Sequence, residues 1–305
     1  MHDINMKVNV AGVELNNPIV TGSGTFGFGR EYGAYFDLNQ LGGMCVKGLT
    51  FTERQGNAAP RIAETPAGIL NSVGLQNPGV KFFVENELPF LKKYDTKIIA
   101  NISGNTVEEY CSMAEILSDS DVDLIEMNIS CPNVKEGGVA FGTNAATVNN
   151  ITREVKKYCR KPLIVKLSPN VTDIKEIAKA AEDGGADALS LINTLLGMSI
   201  DIHKRKPVLA NNVGGLSGPA VKPVAVRMVW QVASVVKVPI IGMGGIMTGE
   251  DAVEFMLAGA AAVAVGTANF VDPLACIKVL EGVKEYLGRY HITDVNEIVG
   301  KVVVN

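Results

Sequence analysis

Cys131 closes the strand-like run in EMNISCPNV (126–134), and Pro132 behind it cannot continue a ladder. A cysteine that only packs belongs inside an element, whereas this one stands where the backbone leaves it. With a free pKa near ~8.5, a thiol can serve as nucleophile or as general base once its surroundings suit it. The segment that follows, PNVKEGGVAFG, has the glycines and polarity expected of a mobile flap. Lys47 and Lys166 close two other apolar runs, and lysine is rarely buried without a partner. Each is read either as a Schiff-base amine or as the charge that neutralises an anion; residue type alone leaves both open.

Ser23, Asn101, Asn128, Asn193 and Thr194 stand at comparable ends of apolar runs. A buried amide without a partner costs ~1–3 kcal/mol, so each Asn either joins an internal hydrogen-bond network or faces a ligand. Several at corresponding depths favour the ligand. GMGGIMTG (242–249) and VGTANF (265–270) add glycine-bearing turns, whose backbone N–H groups can cradle a phosphate. The other cysteines, Cys45, Cys111, Cys159 and Cys276, fall on strand or helix patterns and read as packing.

Composition removes several alternatives. Five cysteines, odd in number and never in a CxxC pair, suit neither a disulfide framework nor a metal or cluster site. The three histidines form no Ser-His-Asp or HExxH pattern. A net charge of −4 and a pI near 5.5 argue against nucleic acid, and His203-Lys204-Arg205-Lys206 reads as a solvated loop. No run of ~18 apolar residues is present, and MHDINMKVNVAG lacks the apolar core of a secretion signal. A cytoplasmic protein is the expectation.

The elements that must position these residues are strands at 18–22, 42–48, 96–103, 123–130, 162–168, 186–193, 238–244 and 261–267, with helical patterns between them. On the fourth, alternation sets Glu126, Asn128 and Ser130 opposite Ile125, Met127 and Ile129. Ile174, Ile177, Ala178 and Ala181 lie on one helix face that Gly184-Gly185 ends. Thr248 with Asp251 forms a capping box, and Asp272-Pro273 reads as the start of the last helix. Eight strands alternating with helices over 305 residues predict a single (β/α)8 TIM barrel domain, 1–305. The strand spacings place extra residues after strands 2, 4 and 6, on the face where barrels build their sites.

The motifs carry a resemblance along essentially the whole chain. NISCPNV and the segment behind it, NSVGLQNPG (71–79), VKLSPNVTDI (165–174), INTLLGM (192–198), GGLSGPA (214–220), IIGMGGI (240–246) and AVGTANF (264–270) together resemble dihydroorotate dehydrogenase. GSGTFGFGREY (22–32) and INTLLGM resemble the B-type catalytic subunit, and the A-type homodimer usually differs at both places. The membrane-bound type carries an N-terminal helical extension and a serine at the base position, where this chain has no such extension and has Cys131.

The resemblance implies FMN in the barrel and oxidation of dihydroorotate to orotate in pyrimidine synthesis. It implies that Cys131 takes the C5 proton while C6 delivers hydride to flavin N5. Lys47, Asn71, Ser72, Val73, Gly74, Leu75, Asn128, Asn133, Asn193 and Thr194 match substrate positions. Ser23, Lys47, Gly48, Asn101, Asn128, Lys166, Ile192, Gly218, Gly244, Gly245, Gly266 and Thr267 match flavin positions, with Lys166 expected to stabilise negative charge on reduced flavin. The B type further implies an electron-transfer subunit bearing FAD and a [2Fe–2S] cluster, which passes electrons to NAD, and a dimer of catalytic subunits within a heterotetramer. The competing expectations are an A-type, fumarate-using homodimer and an aldolase or lyase barrel with Lys166 or Lys47 as its Schiff-base amine.

Overall fold

The computed structural model describes residues 4–129 and 141–305. Cys131 and Asn133, with most of the expected flap, lie outside the described residues. Eight strands form the centre: β1 (Ile19–Thr21), β2 (Gly43–Cys45), β3 (Lys97–Ile102), β4 (Leu124–Asn128), β5 (Leu163–Lys166), β6 (Ala188–Leu191), β7 (Ile240–Met243) and β8 (Ala262–Val265). They pair in parallel in chain order, and the ring closes where Val263 of β8 meets Ile19 of β1. The expected (β/α)8 barrel is therefore present, each strand lying inside its predicted span and ending a few residues early.

The strands form here because their apolar runs are buried on both faces, as a parallel sheet requires. All four residues of β5 through β8 are buried in each strand. Helices α1 (Val107–Ser118), α2 (Ala145–Tyr158), α3 (Ile174–Asp183), α4 (Lys222–Ala233), α5 (Gly249–Ala258) and α6 (Ala275–Arg289) surround the ring. In α3 the predicted face is the buried one, the Asp173 side chain accepts from Lys175 N, and Gly184 occupies the C-cap. Thr248 and Asp251 make both bonds of the capping box that starts α5.

The last helix is a correction. It begins at Ala275 with Leu274 as its cap, two residues beyond the expected Asp272-Pro273 start. Asp272 instead ends the short helical turn Ala268–Val271, and its Oδ1 accepts from Leu274 N at 2.9 Å. The acidic side chain serves the helix entry from one step further out.

The long connections after β2 and β6 contain structure of their own. Ile62–Thr65 and Gly68–Asn71 form a hairpin in the first, and Leu195–Gly197 and Gly214–Ser217 pair in the second. Gly214–Ser217 then pairs with Gly68–Asn71, so both insertions merge into one four-stranded antiparallel sheet. His203, Lys204, Arg205 and Lys206 are exposed, as expected of a solvated loop. Of the cysteines read as packing, Cys45, Cys159 and Cys276 are buried and Cys111 is half-buried on α1.

Candidate active site

Parallel strands bring every C-terminal end to the same face of the barrel. Ser23 follows β1, Lys47 and Gly48 follow β2, Asn101 lies in β3, and Asn128 and Lys166 end β4 and β5. Ile192, Asn193 and Thr194 follow β6, Gly244 and Gly245 follow β7, and Gly266 and Thr267 follow β8. All of them line one cavity. Asn71 of the insertion sheet, Val73, Gly74 and Leu75 in the loop behind it, and Gly218 just past Gly214–Ser217 add to its wall.

Within that wall the amides are already organised. Asn193 Nδ2 donates to Asn128 Oδ1 at 3.4 Å, and Asn193 Oδ1 accepts from Thr194 N at 2.9 Å. Asn71 Nδ2 donates to Gly215 O at 3.4 Å across the insertion sheet. Asn77, 5% exposed, ties the loop 72–79 to the exit of β2: its Oδ1 accepts from Thr50 N at 3.1 Å and Gly79 N at 2.8 Å. Ser72 of this loop does not line the cavity; the residue is 1% exposed and its carbonyl accepts from Asn57 Nδ2 at 2.8 Å.

The charged pair lies lower. Lys166 Nζ stands 3.6 Å from Glu126 Oε1 and donates to Ser23 Oγ at 3.4 Å. Burial alone would push the Glu126 carboxyl up, yet the Lys166 ammonium and hydrogen bonds from Ser190, Asn101 and Cys45 outweigh it and hold the group below the ordinary carboxylate value. Asn101 spends its amide N–H on this carboxylate, at 2.5 Å, and its Oδ1 finds no donor among the described residues. A buried amide oxygen left in this way is expensive unless a ligand N–H reaches it.

The opposite side is bare backbone. Gly244 and Gly245 adopt φ of 127° and 81°, and Gly218 a φ of 102°, conformations that L side chains rarely take. A Cβ added at Gly24 or Gly266 would meet no atom within 4 Å. An orphaned acceptor, two lysines and a glycine-lined cradle form a donor set that fits a flat, N–H-bearing ring with a phosphate tail.

Two lining residues, Ser217 and Phe270, lie within the motifs GGLSGPA and AVGTANF, but the motifs alone do not single them out. Ser217 accepts from Thr267 Oγ1 at 2.9 Å, which joins the insertion sheet to the end of β8, and Phe270 stands at the cavity edge, 58% exposed. Glu126 stood in the polar row of β4, but nothing in the sequence named its partners. Among the described residues no cluster of three or more His, Cys, Asp or Glu could hold a metal ion.

Residues 5–287 match the family model described as Dihydroorotate dehydrogenase. The chain is 66% identical over 302 residues to the "Dihydroorotate dehydrogenase B (NAD(+)), catalytic subunit" of Alkaliphilus metalliredigens (strain QYMF), covering 99% of this chain and 100% of that one. The protein of the same name from Alkaliphilus oremlandii (strain OhILAs) is 66% identical over 298 residues, 98% of this chain and 99% of the relative. That of Thermoanaerobacter pseudethanolicus (strain ATCC 33223 / 39E) is 59% identical over 302 residues, 99% of this chain and 100% of the relative. A cavity assembled from strand ends in the order of the resembling motifs, together with likeness of this extent along whole chains, leads to one conclusion: the chain belongs to the dihydroorotate dehydrogenase family.

Proposed function

We propose that the chain, working over 1–305 as a single domain, is the catalytic subunit of a B-type, NAD-linked dihydroorotate dehydrogenase that oxidises dihydroorotate to orotate in de novo pyrimidine biosynthesis. The supporting observation is the single cavity on which all eight strand ends converge. FMN is the cofactor that this donor set suits, and when bound it supplies the two-electron acceptor for the hydride leaving C6. Ser23, Lys47, Gly48, Asn101, Asn128, Lys166, Ile192 and Gly218 hold it, with the backbone at Gly244, Gly245, Gly266 and Thr267 receiving the phosphate.

Asn71, Asn128, Asn193 and Thr194 orient the substrate, because carboxamides offer donor and acceptor together and match the urea-like edge of the ring. Asn133, Ser72, Val73, Gly74 and Leu75 complete the substrate positions, with Ser72 acting through its backbone. Lys47 balances the substrate carboxylate. Cys131 removes the C5 proton, a role that rests on its place behind β4 in the sequence. Electrons leave through a partner subunit that carries FAD and a [2Fe–2S] cluster, in a heterotetramer built on a dimer of catalytic subunits. The NAD(+) in the names of the relatives favours this over the fumarate-using type. No helix among the described residues is long and apolar enough to cross a membrane, and the cytoplasm is the proposed location.

A Schiff-base aldolase is the weaker reading. Attack on a carbonyl needs an amine lone pair, and Lys166 is engaged with a buried carboxylate.

The deciding experiment adds dihydroorotate anaerobically to the FMN-loaded chain. Bleaching of the flavin absorbance in one turnover is expected, and NAD reduction only after the partner is added. Cys131→Ala should retain flavin and lose roughly 10²–10⁴-fold in rate. A colourless protein that takes up no FMN would overturn the proposal.

A further inference from the structure

One carboxylate inside the barrel collects partners from four other strands. Glu126 of β4 is 2% exposed. Its Oε1 accepts from Asn101 Nδ2 of β3 at 2.5 Å and from Cys45 Sγ of β2 at 3.4 Å, and faces Lys166 Nζ of β5 at 3.6 Å. Its Oε2 accepts from Ser190 Oγ of β6 at 2.7 Å. Burial pushes the Cys45 thiol well above its ordinary value, with the Glu126 charge adding to it, so the sulfur keeps its proton and remains a donor. Of these partners, Lys166 and Asn101 line the cavity, whereas Cys45, Ser190 and Glu126 do not.

We propose that Glu126 is a positioning residue for the oxidation: it fixes Lys166 Nζ beside Ser23 at the cavity wall and offsets the lysine charge there, so that it sets the net charge a bound flavin meets. This rests on the flavin reading given above. The reason is electrostatic. A lone ammonium in a low-dielectric wall strongly favours added negative charge on its neighbour, whereas a close ion pair presents little more than a dipole. Asn101 links the same carboxylate to the cavity wall a second time, because the bond that anchors its amide nitrogen leaves Oδ1 without a donor among the described residues.

The test is the two-electron midpoint potential of FMN in the loaded chain, measured by anaerobic dye titration. Glu126→Gln keeps the shape and removes the charge. It should raise the potential by at least a tenfold change in the ratio of reduced to oxidised flavin, about 30 mV for a two-electron couple. Glu126→Asp should return most of the way to the parent value. Cys45→Ser, outside the cavity, replaces a weak donor with a stronger one that draws charge from the carboxylate; it should move the potential in the same direction by less. FMN affinity of the apoprotein, read by fluorescence quenching, should change far less for oxidised flavin than the potential implies for reduced flavin. Potentials of Glu126→Gln and Cys45→Ser equal to the parent, with flavin bound, overturn this inference and leave the flavin reading intact. If Glu126→Gln does not fold, as judged by circular dichroism, an unchanged Cys45→Ser potential overturns it alone. A parent chain that binds no flavin overturns both readings.

Discussion

Gly215 lies directly against Thr194: a Cβ built on the glycine would stand 2.0 Å from Thr194 Oγ1 and 2.6 Å from Thr194 Cβ. The insertion strand Gly214–Ser217 therefore meets the end of β6 through bare backbone. The same residue is paired with Asn71 in the neighbouring strand, so one glycine sets the spacing between two groups proposed to orient the substrate. A methyl group there must displace Thr194 or lift the strand. Overpacking of this kind costs roughly 1–3 kcal/mol. Gly215→Ala is expected to lower Tm, raise the KM for dihydroorotate and leave FMN affinity close to the parent. Steady-state kinetics beside a flavin titration check this, and an unchanged KM would separate Thr194 from the substrate.

Gly245 tests the proposed phosphate cradle. Its φ is 81°, and a Cβ would fall 2.8 Å from Gly218 O and 2.8 Å from Lys222 Cβ. Alanine at this position meets backbone strain of roughly 1–3 kcal/mol as well as contact with a carbonyl that cannot yield easily. The expected result for Gly245→Ala is at least a tenfold loss of FMN affinity with the barrel still folded. Fluorescence titration of the apoprotein with FMN, set beside its far-UV spectrum, reads the two effects separately. Full affinity would place the phosphate elsewhere.

These two glycines also show what a sequence can and cannot convey. The barrel was legible because each parallel strand, buried on both faces, is a short apolar run, and the polar residue that ends it breaks the pattern visibly. Lys47, Asn128 and Lys166 could be found in that way, as could the capping box at Thr248. The insertion sheet left no comparable mark: Gly214–Ser217 finds its partner at Gly68–Asn71, 144 residues away for Asn71 and Gly215. No local period encodes such a pairing. Glu126 is similar, since a buried acid on a strand is conspicuous but its four partners come from four other strands. Ser72 was carried by its motif, yet it is buried and does not line the cavity.

The Glu126–Lys166 pair also predicts how stability responds to acid. Burial raises the carboxyl, but the Lys166 charge and three hydrogen bonds outweigh it, so the folded value lies below the unfolded reference of 4.5. A depressed acid stabilises the fold fully above that reference, and the benefit is lost as pH falls through the folded value, because the unfolded chain takes up the proton first. Removing one member of a buried pair costs about 3–5 kcal/mol. The Tm gap between the parent and Glu126→Gln should hold steady between about pH 6 and 8 and narrow below about 4.5. Calorimetry across that range checks the sign, and a gap that persists undiminished in acid contradicts the assignment.

Cys276 gives the opposite sign. Its side chain is wholly buried on α6, burial pushes the thiol from 9.0 up to about 12, and the S–H donates to Asn269 Oδ1 at 3.3 Å. A raised acid leaves stability intact below the unfolded value near 9.0 and removes it as pH climbs toward 12, since only the unfolded thiol ionises in that interval. Cys276→Ser carries no group that titrates there, so the parent should lose stability relative to the variant above about pH 9 and not below it. The same burial predicts that a thiol reagent at about pH 8, read by mass spectrometry, spares Cys276 and Cys45 in the native chain and labels both once denaturant is added, because the thiolate is the reacting form. Labelling of Cys276 without unfolding would mean that the contact between α6 and the barrel opens far more readily than a fully packed helix allows.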